Sequence, residues 1–401
     1  MSRPRLPRTI WALGFVSLFM DTSSEIIHAL LPLFLTTVLG ASVAFVGLID
    51  GVAEATASIS KVFSGYISDR IGKRKPLILL GYGLAALTKP LFALAASPAV
   101  VLGARFADRI GKGLRGAPRD ALVADVTSAD IRGRAYGLRQ TLDTLGAFLG
   151  PLAAIGLMAL LADDMRAVFW VAVIPAIVAV LLVVFGVEER AAGSAESATP
   201  SRPPISFRDA ARLGRPFMLL AVIGVVFALA RFSEAFLILK ASEAGLSLTL
   251  APLAFVVMNL FYALGAYPAG VLSDSHPPRI LLIGGLAVLV AADAALALSA
   301  GVLGVFVGIA LWGVHMALTQ GLLAKLVAQT APEDLRGTAF GVFSLATGVA
   351  ALFASILAGV LWDALGSQMT FIVGGGFALV AAMLVVFWND RPATVSPAAR
   401  G

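Results

Sequence analysis

Residues Gly65–Lys75 read GYISDRIGKRK, an aspartate and a dense cationic cluster set directly after a long apolar run. A blunter copy, GVLSDSHPPRI, occupies Gly270–Ile280, 205 positions further on. A second pair, DIRGRAYG at Asp130–Gly137 and DLRGTAFG at Asp334–Gly341, repeats with an offset of 204. Two unrelated motif pairs that share almost one offset point to an internal duplication.

What surrounds these motifs is apolar. Of the 401 residues, 59% are hydrophobic and only 13% charged, against roughly 25% charged in a typical soluble domain, and mean hydropathy is +0.92. Twelve predominantly apolar stretches of about 20 residues lie near 10–39, 43–66, 77–96, 99–118, 135–161, 167–187, 217–240, 250–272, 279–300, 303–328, 337–362 and 370–388. Only helices or a closed barrel can cross lipid, and uninterrupted apolar runs exclude the alternating pattern of barrel strands. The expected fold is an all-α integral membrane protein of twelve transmembrane helices. The first stretch is too long, and too polar in its middle, for a cleavable signal peptide, so it is read as a retained helix. The absence of cysteine rules out disulfides and thiolate metal sites.

The net charge of +6 follows topology and does not point to nucleic acid. Arg3, Arg5 and Arg8 precede the first stretch; Arg70, Lys73, Arg74 and Lys75 follow the second; Arg132 and Arg134 follow the fourth; and Arg190, Arg202, Arg208, Arg212 and Arg215 follow the sixth. The alternate loops near 40–43 and 97–98 carry no cation, and the next has Arg166 alone. This asymmetry places both termini and the central loop in the cytoplasm. The polar, Ala/Ser/Pro/Arg-rich stretch 189–215 reads as a linker between a bundle at 1–188 and a second at 216–401.

GYISDRIGKRK resembles the loop between helices 2 and 3 of the major facilitator superfamily, and twelve stretches split six and six extend the resemblance over the whole chain. It implies a bacterial transporter of the inner membrane, monomeric, without cofactor or enzymatic activity, whose partners are a small-molecule substrate, protons and the bilayer. It also implies a gate motif made of Gly65, Asp69, Arg70, Gly72, Lys73 and Arg74, with Gly270 and Asp274 as its second copy. In that reading Asp69, at the negative end of its own helix, latches onto the N-terminus of the eleventh helix near Gly337. Gly65 lets helix 2 approach a neighbour closely, while Lys73, Arg74 and Lys75 also serve as positive-inside anchors. The spacing of these glycines does not match a phosphate loop, so no nucleotide is expected.

Charged residues in the hydrocarbon region cost about 2.5–3.5 kcal/mol each and call for a partner or a task. Asp21, Glu25 and His28 share one face of the first stretch, and Asp50, Glu54 and Lys61 share one face of the second. At 1.5 Å per residue, Asp21 and Glu54 both lie about 16 Å in, with Asp50 at about 10 Å from the other surface, level with Glu25 and His28. Asp21, Glu25, Asp50 and Glu54 are therefore the proton-coupling candidates. Candidates for a substrate cavity are His28, Arg105, Arg109, Asp143, Arg231, Glu234, Asn259, His315 and Gln320. Arg105 resembles the superfamily's helix-4 arginine, although the glycine expected four residues on is Arg109, which is free to pair with Asp108 or Asp143. Arg231 and Glu234 are spaced for an ion pair within a helix, and Lys89 for snorkelling or a pair with an acid of helix 2. Gly146, Gly150 and Pro151 resemble the start of the GxxxGP motif of proton antiporters, and a GxxxG is in any case a close-packing device.

These residues suit a proton-coupled antiporter that expels a small organic compound. They also leave open an uptake symporter for an organic anion held by Arg109 and Arg231, and a divalent-metal exporter using Asp21, Glu25 and His28. A non-transporting sensor would need a further soluble domain that the sequence does not contain.

Overall fold

The structure, a computed structural model, describes residues 6–71, 73–128, 131–189, 211–332 and 335–388. Gly72 and most of the 189–215 linker lie outside the described residues. The long helical segments are α1 (Arg8–Val38), α2 (Val43–Ile71), α3 (Lys75–Leu94), α4 (Pro98–Asp125), α5 (Arg132–Leu160), α6 (Met165–Gly186), α7 (Gly214–Glu243), α8 (Leu253–Ser275), α9 (Pro278–Leu298), α10 (Val302–Thr330), α11 (Arg336–Leu365) and α12 (Ser367–Phe387). Among the described residues, 11 helices are long and apolar enough to cross a membrane. The exception is α4, long enough but loaded with charges from Arg105 to Asp120.

The duplication is visible in the packing. Within the first half α1 lies along α5 and α6, α2 along α4, and α3 along α4 and α6. Within the second, α7 lies along α11 and α12, α8 along α10, and α9 along α10 and α12. Small residues set the register of both. A side chain on Gly81 of α3 would run into Arg115 of α4, 2.8 Å away. Gly285 and Thr319, each 204 positions on, meet in the same way between α9 and α10.

Three helices are interrupted. The first, α1, is interrupted by a turn at Ala29–Leu30, where the Leu30 amide bonds the Ile27 carbonyl, and ends in a π-helical turn at Phe34–Val38. Near its middle α7 unwinds over 231–233, where Arg231 adopts φ −118 and ψ 74. The break in α10 falls at Gln320–Gly321, and Gly321 takes φ +87, a left-handed conformation that glycine adopts without a Cβ penalty. The sequence pattern predicts α7 as one continuous helix. The break goes undetected there because unwinding leaves hydropathy unchanged.

The halves meet chiefly along α2 and α11, at the face where α2 begins and α11 ends, hereafter the far face. Glycine makes the approach possible. A Cβ on Gly359 would sit 2.5 Å from Cα of Ala44, one on Gly47 would overlap the carbonyl oxygen of Ser355, and one on Gly51 would lie 2.9 Å from that of Leu352. The counterpart pair, α5 and α8, touches far less. Gly65 of the opening motif faces a different neighbour, Ala117 of α4, at 3.3 Å.

Gly47→Leu is expected to force α2 and α11 apart, at the roughly 1–3 kcal/mol typical of overpacking. Thermal unfolding in detergent, together with spin-label distances across the far face on this cysteine-free chain, measures both effects; a leucine tolerated without loss or displacement would contradict the packing.

Candidate functional site

Between the halves lies a cavity of about 400 Å³, lined from the first half by His28, Asp50, Glu54, Ser58 and Arg105. The second half contributes Phe227, Arg231, Phe232, Ser233 and Glu234 of α7 and Phe343, Thr347 and Ser355 of α11. The α7 break opens directly onto it.

Asp50 is the hub. Its carboxylate, 4% exposed, takes a hydrogen bond from Ser233 Oγ at 2.7 Å across the interface. Its other oxygen lies 3.6 Å from the Arg105 guanidinium of α4. Unwinding α7 frees the Ser233 amide, which donates to Ser355 Oγ of α11 at 3.2 Å. Three helices from both halves thus close around one carboxylate, and the break supplies groups that a continuous helix would have kept for itself.

Glu54, one turn further along α2, projects a largely exposed carboxylate beside Arg109 at 3.9 Å. Arg109 is itself buried and held by Asp108 at 3.3 Å. Asp108 also receives Lys89 Nζ at 3.0 Å, and Lys89, 1% exposed, donates in addition to Ser24 Oγ of α1 at 2.9 Å. The partner of Lys89 is therefore an acid of α4, and an acid of α2 plays no part. The reason is local: α3 lies against α4 with no α2 contact of comparable extent. Lys112 is a further cation of α4 in the same stretch and is exposed.

Asp21 and Glu25 do not line the cavity. They pack against α5, where the GxxxGP motif does its structural task. Side chains on Gly146 and Gly150 would collide with α1, the first 2.5 Å from the Leu18 carbonyl oxygen and 3.2 Å from Asp21 Cβ, the second overlapping Glu25 Cβ. Pro151 continues α5 beyond this contact. Asp21 faces Asp143 of α5. Asp143 in turn lies 3.8 Å from Arg119 and 3.7 Å from Arg139. Glu25 pairs with His28 at 3.4 Å, and the His28 ring meets Phe255 of α8 edge-on at 5.2 Å.

Arg231 and Glu234 lie 3.6 Å apart, as their spacing suggests, but span the unwound turn of α7. His315 is fully buried on α10, its Nδ1 bonded to the Gly285 carbonyl and its Nε2 unpartnered, away from the cavity lining. Gln320 marks the α10 break and lines a separate pocket, and Asn259 is a partly buried residue of α8. In the gate motif, Arg70 and Lys73 are exposed. Arg74 reaches Ser68 at 2.6 Å and Asp125 at 3.4 Å, and its amide is capped by Glu189. Asp69 and Asp274 belong to α2 and α8, and Gly270 has open space around it.

The far face carries a second polar link. Asp363, near the end of α11, accepts the amides of Val43 at 3.0 Å and Ala44 at 2.8 Å, so an acid of one half caps the first helical turn of α2 in the other. Thr249 and Asp163 add a 2.5 Å hydrogen bond between loops of the two halves. An anionic cap complements the partial positive charge of a helix N-terminus.

Two outcomes follow. Asp108→Asn should destabilise the protein by about 3–5 kcal/mol by stranding Lys89, while Lys89→Met combined with Asp108→Leu should recover most of that in thermal unfolding. Asp363→Ala should weaken closure of the far face by about 1 kcal/mol, a several-fold change in its open population read by spin-label distances.

Comparison with known proteins converges on one family. The Major Facilitator Superfamily model matches residues 13–240 and 220–401. An uncharacterised MFS-type transporter of Methanocaldococcus jannaschii is 31% identical over 95% of both chains. A multidrug resistance protein MdtH of Proteus mirabilis is 37% identical over 133 residues, 33% of this chain and 32% of its own. Among solved structures, a bacterial homologue of the human lysosomal transporter Spinster, inward-facing and occupied, superposes with a TM-score of 0.79 at 17% identity, covering 96% of this chain and 97% of its own.

Proposed function

Because the chain belongs to the Major Facilitator Superfamily, we propose that this transporter is a proton-coupled exporter of a small organic compound, working by alternating access through twelve spans. The observation that carries the reading is the Asp50 hub: one buried carboxylate ties Arg105 of the first half to the α7 break of the second, inside the cavity between them. A proton on a carboxylate in that position removes the charge that faces Arg105 and weakens the cross-half hydrogen bond. That weakening links proton binding to the separation of the halves.

The twelfth span in this reading is α4. Its charges are tolerable at membrane depth because they face protein: Arg105, Asp108, Arg109 and Arg115 are all buried in the bundle. The cytoplasmic side is the one carrying the chain ends and the cationic motif. The far face, closed by Asp363 and the α2–α11 glycines, is then external. Asp69 would engage α11 only in the alternate, outward-open conformation. Glu54 and Asp50 are the cavity's proton carriers in this reading.

The cavity offers acids in Asp50, Glu54 and Glu234, cations in Arg105 and Arg231, and the rings of Phe227, Phe232 and Phe343. That mixture suits an amphipathic organic molecule, and the partial likeness to MdtH proteins supports the direction of transport. The organic-anion reading rested on Arg109 and Arg231; of the two, Arg231 lines the cavity, while Arg109 is held by Asp108 and Glu54 and is absent from the lining. The metal reading depended on three residues that separate here, since Asp21 turns to Asp143 while Glu25 pairs with His28.

A thermal-shift panel of organic compounds identifies the substrate, since a ligand at 100 times its Kd stabilises the folded state by about 2.7 kcal/mol. In proteoliposomes, Asp50→Asn and Glu54→Gln should then lose acceleration by an imposed pH gradient, at least one of them retaining exchange down the substrate's own gradient. Wild-type response to the gradient in both variants would remove these two acids as carriers.

A further inference from the structure

Asp293, on α9, is 1% exposed, and neither of its carboxylate oxygens has a hydrogen-bond partner. Bare backbone of α12 faces it: a Cβ on Gly374 would lie 3.2 Å from Oδ2, and one on Gly375 3.5 Å from the Asp293 Cβ. The same point on Gly374 lies 2.7 Å from the ring of Phe232, so Phe232 and the carboxyl crowd one spot. Phe232 packs in turn on Trp312, at 5.4 Å between ring centroids, and the Trp312 indole N–H is a second buried polar group without a partner.

No charge answers this acid among the described residues. Its own helix offers Arg279, which bonds the Val386 carbonyl near the α9 start. Of the elements packed on it, α12 contains no charged residue, and α10 contributes His315, turned to Gly285, and Lys325, bonded to the Ser273 carbonyl. From α7, Arg231 and Glu234 engage each other.

The duplication shows what is missing. Lys89 stands 204 positions before Asp293, and Asp108 the same distance before Trp312. In the first half those positions form the buried Lys89–Asp108 pair; in the second, an acid stands at the α9 position and an indole at the α10 position, and the two do not bond. An ionised carboxylate in such surroundings is costly unless paired.

We propose that Asp293 is a proton-binding site of the second half, separate from the cavity acids and linked to the α7 break. The link is through adjacent residues of the break: Phe232 meets the same glycine of α12 as Asp293, while Ser233 holds Asp50. Re-forming helix at 231–233 displaces both together, uncovering Asp293 as Asp50 is released. The proton on Asp293 therefore stays while α7 is bent and leaves when it straightens. Use of this proton in transport rests on the proton-coupled reading above; the site itself does not.

Infrared difference spectroscopy of the purified protein through a pH titration tests the site directly. The wild type should show the carbonyl stretch of a protonated carboxyl that is lost in Asp293→Asn and kept in Asp50→Asn and Asp21→Asn. Asp293→Asn, a neutral near-isostere of the protonated acid, should fold with thermal stability close to that of the wild type. Spin-label distances across the far face should shift with pH in the wild type and shift less in Asp293→Asn. A spectrum unchanged by Asp293→Asn, a marked stability loss in Asp293→Asn, or identical pH responses of the distances would each overturn the proposal. If the protein proves to transport without protons, the infrared band remains while the pH-gradient experiment fails, so the two ideas fall separately.

Discussion

The close approach of α2 to α11 is the contact on which the rest of the molecule depends. Two six-helix units that share no covalent element beyond a polar linker need one seam at which backbone meets backbone, and Gly47, Gly51 and Gly359 provide it. In lipid, apolar side chains gain little by leaving the acyl chains, so close packing and polar links carry helix association. This seam has both: glycines for the approach, and Asp363 with Ser355 for the links. Because these contacts run from Asp363 down to Gly348 and Ser58, they seal one face and leave the cavity below them.

Inside the first half the governing constraint is electrostatic. The charges on α4 would be expensive in lipid, and the fold turns them into a ladder that leads from Lys89 through Asp108 and Arg109 to Glu54, with Arg105 branching to Asp50. Each member neutralises the next, so the ladder holds α1, α2, α3 and α4 as one unit. It also delivers two carboxylates to the cavity, one buried and bridging, one projecting. The second half is held differently, by the aromatic group of Phe232, Phe236, Trp312, Trp362 and Phe371. A charged, hydrogen-bonded half and an apolar half built on one duplicated plan meet at the α7 break, where the polar side reaches across.

The family, the helical fold and the duplication were legible in sequence because each leaves a one-dimensional trace. Length of apolar runs, spacing of cations and a constant offset between motifs survive projection onto a string. Several intramembrane acids of the first half were legible too, since a charge inside a 20-residue apolar run is conspicuous, whereas Asp293 within the ninth run was passed over. Spacing even anticipated the Arg231–Glu234 pair, and GxxxG its own role in close packing.

Tertiary structure alone decided who partners whom. Asp21 and Glu54 reach one depth by residue counting, yet Asp21 turns to Asp143 on α5 and Glu54 to Arg109 on α4, because rotation about the helix axis, unlike depth, depends on the neighbours each helix packs against. The α7 break, the Ser233 and Ser355 contacts and the Asp363 cap were invisible for a related reason. A serine or an unwound turn changes hydropathy little, and its meaning arises only when a group 122 or 320 positions away comes within hydrogen-bonding distance. Composition along the chain therefore determined that this protein spans a membrane in two related halves; the backbone approach of α2 to α11 and the interruption of α7 decided where those halves hold each other.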